Sequence, residues 1–298
     1  MKNILICTTS FDHKNIRKDL ISQKYFLKFN TKNRRLNENE LLDLIDNQTV
    51  GIISGTENIS KKVLLKAKNL QVISRCGTGT DNIDKFALKK KIKIYTTDKE
   101  PVIAVAEFVV TQILSALKNS IEHHNNVKKK KWKKVKGVLL SNKKIGLIGY
   151  GKIGKLTHKL MKPFGCKFLI YDSILKQKNN VNDLKVLLKE SDIITLNIPM
   201  IKKNKYFINK QKLNKMKDNV ILVNCARGGL INEKALEEKL KQNKNFKVIL
   251  DCFEDEPYEG NLLNYQNIIL SPHVASYAKE TRDLMECNSF LNCINNII

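Results

Sequence analysis

The sequence predicts an α/β protein built from two doubly wound parallel-sheet domains. Three observations carry the prediction. Short β-branched runs alternate with amphipathic helical stretches along nearly the whole chain. No hairpin turn signal joins neighbouring runs. The alternation is broken once, by a long apolar helix and a basic linker, and then begins again. With 298 residues the chain has enough material for two cores.

Residues 4–7, 50–54, 72–75 and 92–95 read as buried parallel strands, with crossover helices at 38–45 and 61–68. The apolar stretch in residues 1–7 is too short for a signal peptide and lacks a small-residue cleavage site, so it reads as the first strand. Glu100 and Pro101 open an apolar helix over 103–117, with proline near the first turn, where its missing N–H costs nothing. No apolar run is read as reaching the ~18–20 residues that span a bilayer. A basic, turn-poor linker covers 128–144.

The second series has strands at 145–149, 167–171, 192–198, 220–224, 247–251 and 267–270, with helices at 152–162, 182–190 and 232–242. A last helix over 279–296 is expected to return to the first domain, because too little chain follows to build anything new.

Composition narrows the function. The chain is 42% hydrophobic and 28% charged, a globular rather than disordered mix. Seven cysteines, odd in number and without a CxxC pair, favour a reducing cytosol over a disulfide framework. No His/Cys/Asp cluster has metal-ligand spacing, so no metal is expected.

The net charge of +25 invites a nucleic-acid reading, but arginine occurs only at 17, 34, 35, 75, 227 and 282. Lysine supplies the other 48 of the 54 basic residues, alongside abundant asparagine and isoleucine, a bias that AT-rich codons explain. Lysines on solvated faces are the simpler account. A local run at 128–136, interrupted by Trp132, is the exception and keeps a nucleic-acid-binding regulator as a remote alternative.

The buried run Lys144-Ile145-Gly146-Leu147-Ile148 enters Gly149-Tyr150-Gly151-Lys152-Ile153-Gly154, and helical spacing follows. The first glycine permits the turn, the second lets backbone approach a pyrophosphate, and the third lets the helix pack on the sheet. A second strand ends at Asp172, 18 residues beyond Gly154. A carboxylate there accepts ribose hydroxyls and repels a 2′-phosphate, which favours NAD over NADP; the alternative is a helix cap for the residues after it.

Three further segments each offer one catalytic type: Arg227 in Asn224-Cys225-Ala226-Arg227-Gly228-Gly229, Glu256 in Asp251-Cys252-Phe253-Glu254-Asp255-Glu256-Pro257, and His273 in Ser271-Pro272-His273. Oxidising a hydroxy acid needs a base for the hydroxyl proton, and imidazole titrates near working pH. A neighbouring carboxylate stabilises the imidazolium. Arginine keeps its charge and offers paired donors to a substrate carboxylate and carbonyl. The other histidines, His13, His123, His124 and His158, lack such a setting and read as surface residues.

Together with Arg75-Cys76-Gly77-Thr78-Gly79-Thr80-Asp81-Asn82-Ile83-Asp84 and the helix start Ala104-Val105-Ala106-Glu107, these motifs resemble the D-isomer-specific 2-hydroxyacid dehydrogenases over nearly the whole chain. Within that family they are most similar to the D-3-phosphoglycerate dehydrogenases. The resemblance implies a Rossmann NAD domain, 99–277, inserted in a flavodoxin-like substrate domain of 1–98 and 278–298. It implies catalysis by Arg227, Glu256 and His273. It places NAD against Thr78, Gly149, Gly151, Lys152, Ile153, Gly154, Asp172, Ile198, Pro199, Cys225, Ala226, Asp251 and Ala275, with Asp251 at the nicotinamide end. A small anionic 2-hydroxy or 2-keto acid is expected at Arg75, Cys76, Gly77, Thr78, Gly79 and Arg227, its carboxylate on backbone donors of 77–79.

The implied reaction is oxidation of 3-phosphoglycerate to 3-phosphohydroxypyruvate, a step of serine biosynthesis, with reduction of glyoxylate, hydroxypyruvate or another small 2-keto acid as the alternative. The resemblance also implies a homodimer formed through the NAD domain, with helix 103–117 as its contact or else simply core; closure of two domains around a substrate would put hinges near 97–100 and 275–279, and the cysteine content favours a cytoplasmic setting. One departure bears on substrate. Where longer phosphoglycerate dehydrogenases carry a phosphate-reading arginine, this chain has Ile52-Ile53-Ser54-Gly55-Thr56-Glu57. The lysines after Trp132 are the substitutes on offer. Only 25 residues follow His273, so the regulatory domain of longer relatives is not expected in this sequence.

Overall fold

A computed structural model describes residues 1–9, 11–16, 25–97, 99, 101–173, 175 and 183–298. The chain divides into two compact units, one of Met1–Pro101 with Tyr277–Ile298 and one of Val102–Ser276.

The first unit carries five parallel strands, β1 (Lys2–Ile6), β2 (Tyr25–Phe29), β3 (Thr49–Ser54), β4 (Val72–Arg75) and β5 (Lys93–Thr96), in the order β2-β1-β3-β4-β5. Alternation along each strand sends side chains to two different cores. Leu5, Ile52 and Ile73 join Leu41, Val63 and Leu64 on one face. Ile4, Ile6, Ile53 and Val72 join Phe290 and Cys293 on the other. The second group belongs to the helix Lys279–Ile294, so the end of the chain does return to the first unit. Its approach is close: a Cβ on Gly51 would lie 2.5 Å from Cys293 Sγ.

The second unit carries β6 (Lys144–Ile148), β7 (Lys167–Tyr171), β8 (Ile193–Leu196), β9 (Ile221–Asn224), β10 (Lys247–Leu250) and β11 (Ile268–Leu270), all parallel, in the order β11-β10-β9-β8-β6-β7. Ile145, Leu147, Val223 and Ile249 pack with Val109 and Ile113 on one face, while Ile148, Leu196, Leu222 and Leu250 pack with Leu187 and Leu236 on the other. Strand order reverses direction beside β6, and in open parallel sheets ligands sit outside the carboxyl ends at such a point.

Several expectations need correction. Strand β2 was not anticipated, because only one of its neighbours is a strand and its side chains are only partly buried. The linker expected over 128–144 begins later, since Ser120–Lys128 is a helix. The helix Pro101–Lys118 is, by length and composition, long and apolar enough to cross a membrane, contrary to the reading of the sequence. Val105, Val109, Ile113 and Leu117 place one of its faces in the core of the second unit, which accounts for its apolar character. Asp98 and Glu100, within the expected hinge, and Asn182, at the expected start of a helix, lie outside the described residues.

Candidate active site

The glycine turn forms at the carboxyl end of β6. Gly149 has φ +94°, a region that L side chains rarely adopt, and a Cβ there would meet the Asn197 carbonyl oxygen at 2.4 Å. A Cβ on Gly154 would come within 2.3 Å of the Gly149 oxygen, so the helix Lys152–Met161 could not begin so close to the strand with any other residue. A Cβ on Gly151 would meet nothing within 4 Å. That open space, bounded by the N-terminus of a ten-residue helix, suits a pyrophosphate.

Asp172 serves the same turn. Tyr150 N–H donates to its Oδ2 at 2.8 Å and Leu175 N–H donates to its Oδ1 at 3.1 Å. The capping alternative is therefore part of its structural work. A carboxylate oxygen can accept more than one hydrogen bond, so these two do not by themselves exclude ribose hydroxyls. Ile198 and Pro199 follow β8 beside this turn, Ile198 half-buried and Pro199 exposed. Lys152 is exposed and Ile153 half-buried.

His158 is not a free surface residue. Its Nδ1 stands 2.6 Å from the Tyr150 hydroxyl, its ring is 4.1 Å from that of Phe168, and burial, aided by Lys162, lowers its pKa.

Arg227, Glu256 and His273 come from loops that follow β9, β10 and β11. Asn224, missed in the sequence, shapes the first loop: its amide donates to the Arg227 carbonyl at 2.8 Å and its Oδ1 accepts from Ala226 N–H at 3.1 Å. Cys225 is buried, and burial raises its thiol pKa well above the ordinary value. The half-buried Arg227 donates from Nη1 to the Ala226 oxygen at 2.7 Å. Gly228 brings this loop against the next, since a Cβ there would lie 1.8 Å from the Phe253 carbonyl oxygen.

Both Glu256 oxygens lie 3.0 Å from His273 Nδ1, and Phe253 N–H donates to Oε1 at 3.1 Å. A carboxylate can only accept, so the pairing places the ring proton on Nδ1 and leaves the Nε2 lone pair for proton transfer. His273 itself sits at φ +55°, a left-handed conformation costing about 1–2 kcal/mol for an ordinary L residue.

Asp251 holds that conformation in place. It is fully buried; Oδ1 accepts from Ser271 Oγ at 2.5 Å and from Val274 N–H at 2.9 Å, and Oδ2 accepts from Ala275 N–H at 2.8 Å. Burial raises its pKa against the pull of these bonds. This carboxylate, expected at the nicotinamide, also braces the loop that presents His273. Ser271, also missed, completes the brace.

Arg75 and Cys76, expected at the substrate, also have structural work. Arg75 is 6% exposed, donates to the Cys76 carbonyl at 2.7 Å and to Asn82 Oδ1 at 3.3 Å, and lies directly under Gly77. It supports the 76–82 loop from within, and Cys76 is buried beside it. Gly77 N–H is taken by Thr97 Oγ1 at 2.8 Å, which leaves Thr78 and Gly79 as donors of the expected anion nest. Thr78 is exposed and Gly79 half-buried.

Sequence spacing gave no metal-ligand cluster, yet the fold gathers one. Ligand atoms of Cys252, Glu256 and His273 all lie within 4.8 Å of one another.

Comparison with known proteins agrees with this geometry. Residues 110–275 match the family model described as D-isomer specific 2-hydroxyacid dehydrogenase, NAD binding domain. The chain is 36% identical over 258 residues to a D-3-phosphoglycerate dehydrogenase of Methanocaldococcus jannaschii, covering 83% of this chain and 49% of that one; it thus spans about half the length of that relative. It is 34% identical over 257 residues to a hydroxypyruvate reductase of Thermotoga maritima, covering 83% and 84% of the two chains. Among solved structures, the TT0316 protein of Thermus thermophilus superposes with a TM-score of 0.86 at 26% identity, covering 98% of this chain and 95% of that one. The chain belongs to the D-isomer specific 2-hydroxyacid dehydrogenase family, and the second unit contains its NAD-binding domain.

Proposed function

We propose that this chain interconverts a D-2-hydroxy acid and its 2-keto acid, with Arg227, Glu256 and His273 as the working residues and 3-phosphoglycerate as the first substrate to test. The observation that carries the reading is the Glu256–His273 pair, with both carboxylate oxygens 3.0 Å from Nδ1. In oxidation, Nε2 takes the proton of the substrate hydroxyl, and Glu256 stabilises the imidazolium so formed. In reduction the same nitrogen returns the proton. Arg227 grips the carboxylate and polarises the oxygen that becomes the carbonyl. NAD, when bound, supplies the hydride acceptor. Gly151 gives its phosphates room, Gly149 and Gly154 shape the turn and seat the helix beside it, and Asp172 reads its ribose.

A second reading, reduction of hydroxypyruvate or glyoxylate, is favoured by the stretch after β3. It contains no cation, and Glu57 is 1% exposed with a pKa raised by burial. Gly55 N–H donates to its Oε2 at 2.6 Å, so this acid is built into its own turn and offers nothing to a phosphate. The apolar helix Pro101–Lys118 is our candidate for a homodimer contact in a cytoplasmic enzyme; Ile103, at 61% exposure, lies outside the core face.

The test follows NADH absorbance against 3-phosphoglycerate in one direction and phosphohydroxypyruvate, hydroxypyruvate and glyoxylate in the other. Preference for the phosphorylated pair supports the first reading. Preference for the small keto acids replaces it with the second. No turnover of any member at saturating cofactor overturns both.

A further inference from the structure

The loop after β10 brings Cys252 beside the proposed acid–base pair. Among the described residues this is the one group in which a thiol, a carboxylate and an imidazole converge, each able to give one ligand atom, all within 4.8 Å of one another. We propose that Cys252, Glu256 and His273 form a binding site for a thiophilic divalent cation, Zn2+ in particular, and that the bound ion takes the proposed base out of service.

Distances and chemistry support the site. Zinc takes nitrogen and oxygen ligands at about 2.0–2.2 Å and sulfur at about 2.3 Å, so neighbours around a tetrahedral ion stand roughly 3.3–3.6 Å apart. His273 Nδ1 and the Glu256 oxygens are already 3.0 Å apart, close to that spacing. The thiol needs to approach by at most ~1.3 Å, within reach of a small side-chain rotation. Thiolate, imidazole and carboxylate together make a donor set that suits zinc better than magnesium or calcium, which prefer oxygen alone. Access comes from the outer side, where the His273 and Glu256 side chains are 26% and 16% exposed, while Cys252 closes the site from within at 2%. Three protein ligands leave a fourth position for water.

Occupancy changes the proton bookkeeping of the imidazole. The Cys252 thiol loses its proton to solvent. The ion replaces the proton on His273 Nδ1, and the neutral ring then carries its proton on Nε2. In that state Nε2 has no lone pair for a substrate hydroxyl, and its N–H is too weak an acid to serve reduction. Metal capture therefore stops both directions. The ion site does not rest on the reading of His273 as the base; the loss of turnover does.

The experiment titrates the purified chain with Co2+ and then Zn2+, recording near-ultraviolet absorbance and turnover on the same samples. The expected result is one Co2+ per chain with a thiolate-to-cobalt charge-transfer band, displaced by Zn2+, and turnover lost in proportion to occupancy and restored by a chelator. Cys252→Val and Cys252→Ser should each lose the band and weaken Zn2+ inhibition at least about tenfold, with metal-free turnover within about twofold of the parent. Should either variant fail to fold, the other and the parent's cobalt spectrum still decide. Absence of stoichiometric binding, cobalt binding without the sulfur band, or unaltered Zn2+ sensitivity in Cys252→Val overturns the site. A cobalt band with turnover intact supports the site and overturns His273 as the base.

Discussion

Gly228→Ala tests whether catalysis depends on how two loops meet. The added Cβ would stand 1.8 Å from the Phe253 carbonyl oxygen, 2.1 Å from its carbon and 2.8 Å from the Glu254 nitrogen. All three are backbone atoms, so no rotamer change relieves the clash. Ordinary contacts of a Cβ are 3.4–4 Å, so the Arg227 loop and the Glu256 loop must part by at least roughly 1.6 Å. Overpacking of this kind costs about 1–3 kcal/mol of stability, which lowers the melting temperature without abolishing the fold. A misplacement of about 1 Å can cost about 10²-fold in rate, and a drop of that order in kcat/KM is expected here. Initial rates from NADH absorbance, thermal melts and NAD affinity from fluorescence give the three readouts. NAD affinity should change less than turnover, because the glycine turn after β6 is untouched. Turnover within about threefold of the parent, with an unchanged melt, would refute the reasoning that Gly228 sets the spacing of the site.

Replacing His273 with Ala should lower turnover by about 10²–10⁴-fold while NAD binding persists; near-normal rates would remove it as the base. Asp172→Ala should weaken NAD and relax discrimination against NADP, and an unchanged ratio of the two KM values would leave Asp172 only its turn-holding bonds. Burial, reinforced by Glu254, Asp255 and Glu256, lifts the Glu233 carboxyl to about 7. An unfolded glutamate titrates near ~4.3, so this group supports the fold fully below that pH and loses its contribution as pH rises through about 7. Glu233→Gln should therefore melt with the parent near pH 4 and above it at pH 8; a pH-independent difference would contradict the assignment.

Local signals were legible in the sequence and side-chain direction was not. The glycine turn could be read because turn, helix start and strand are neighbours in the chain, and Gly149 and Gly154 leave no space for a Cβ. Arg227, Glu256 and His273 were found as types inside motifs, and the fold pairs the last two directly. The bracing role of Asp251 is not legible in the sequence, since nothing in the order of residues reveals that three donors of 271–275 converge on it. The same holds for Arg75, whose guanidinium folds back under its own loop. The short helix Phe86–Lys89 and the polar helix Ser120–Lys128 went unseen because neither carries a long apolar stripe. The convergence of Cys252 on His273 depends on a contact between loops 21 residues apart.

The helix Lys279–Ile294 has a consequence for how the chain is made. It covers the sheet face of Ile4, Ile6, Ile53 and Val72, yet it is translated after every other element. Throughout synthesis of Val102–Ser276 that face lacks its natural cover, whereas the second unit is contiguous and can close on itself as soon as β11 leaves the ribosome. Domains generally fold as units during synthesis, and uncovered apolar faces invite association with other chains. The first unit is thus begun before the second and finished after it, and the time for which its face stays uncovered is set by the length of the insert.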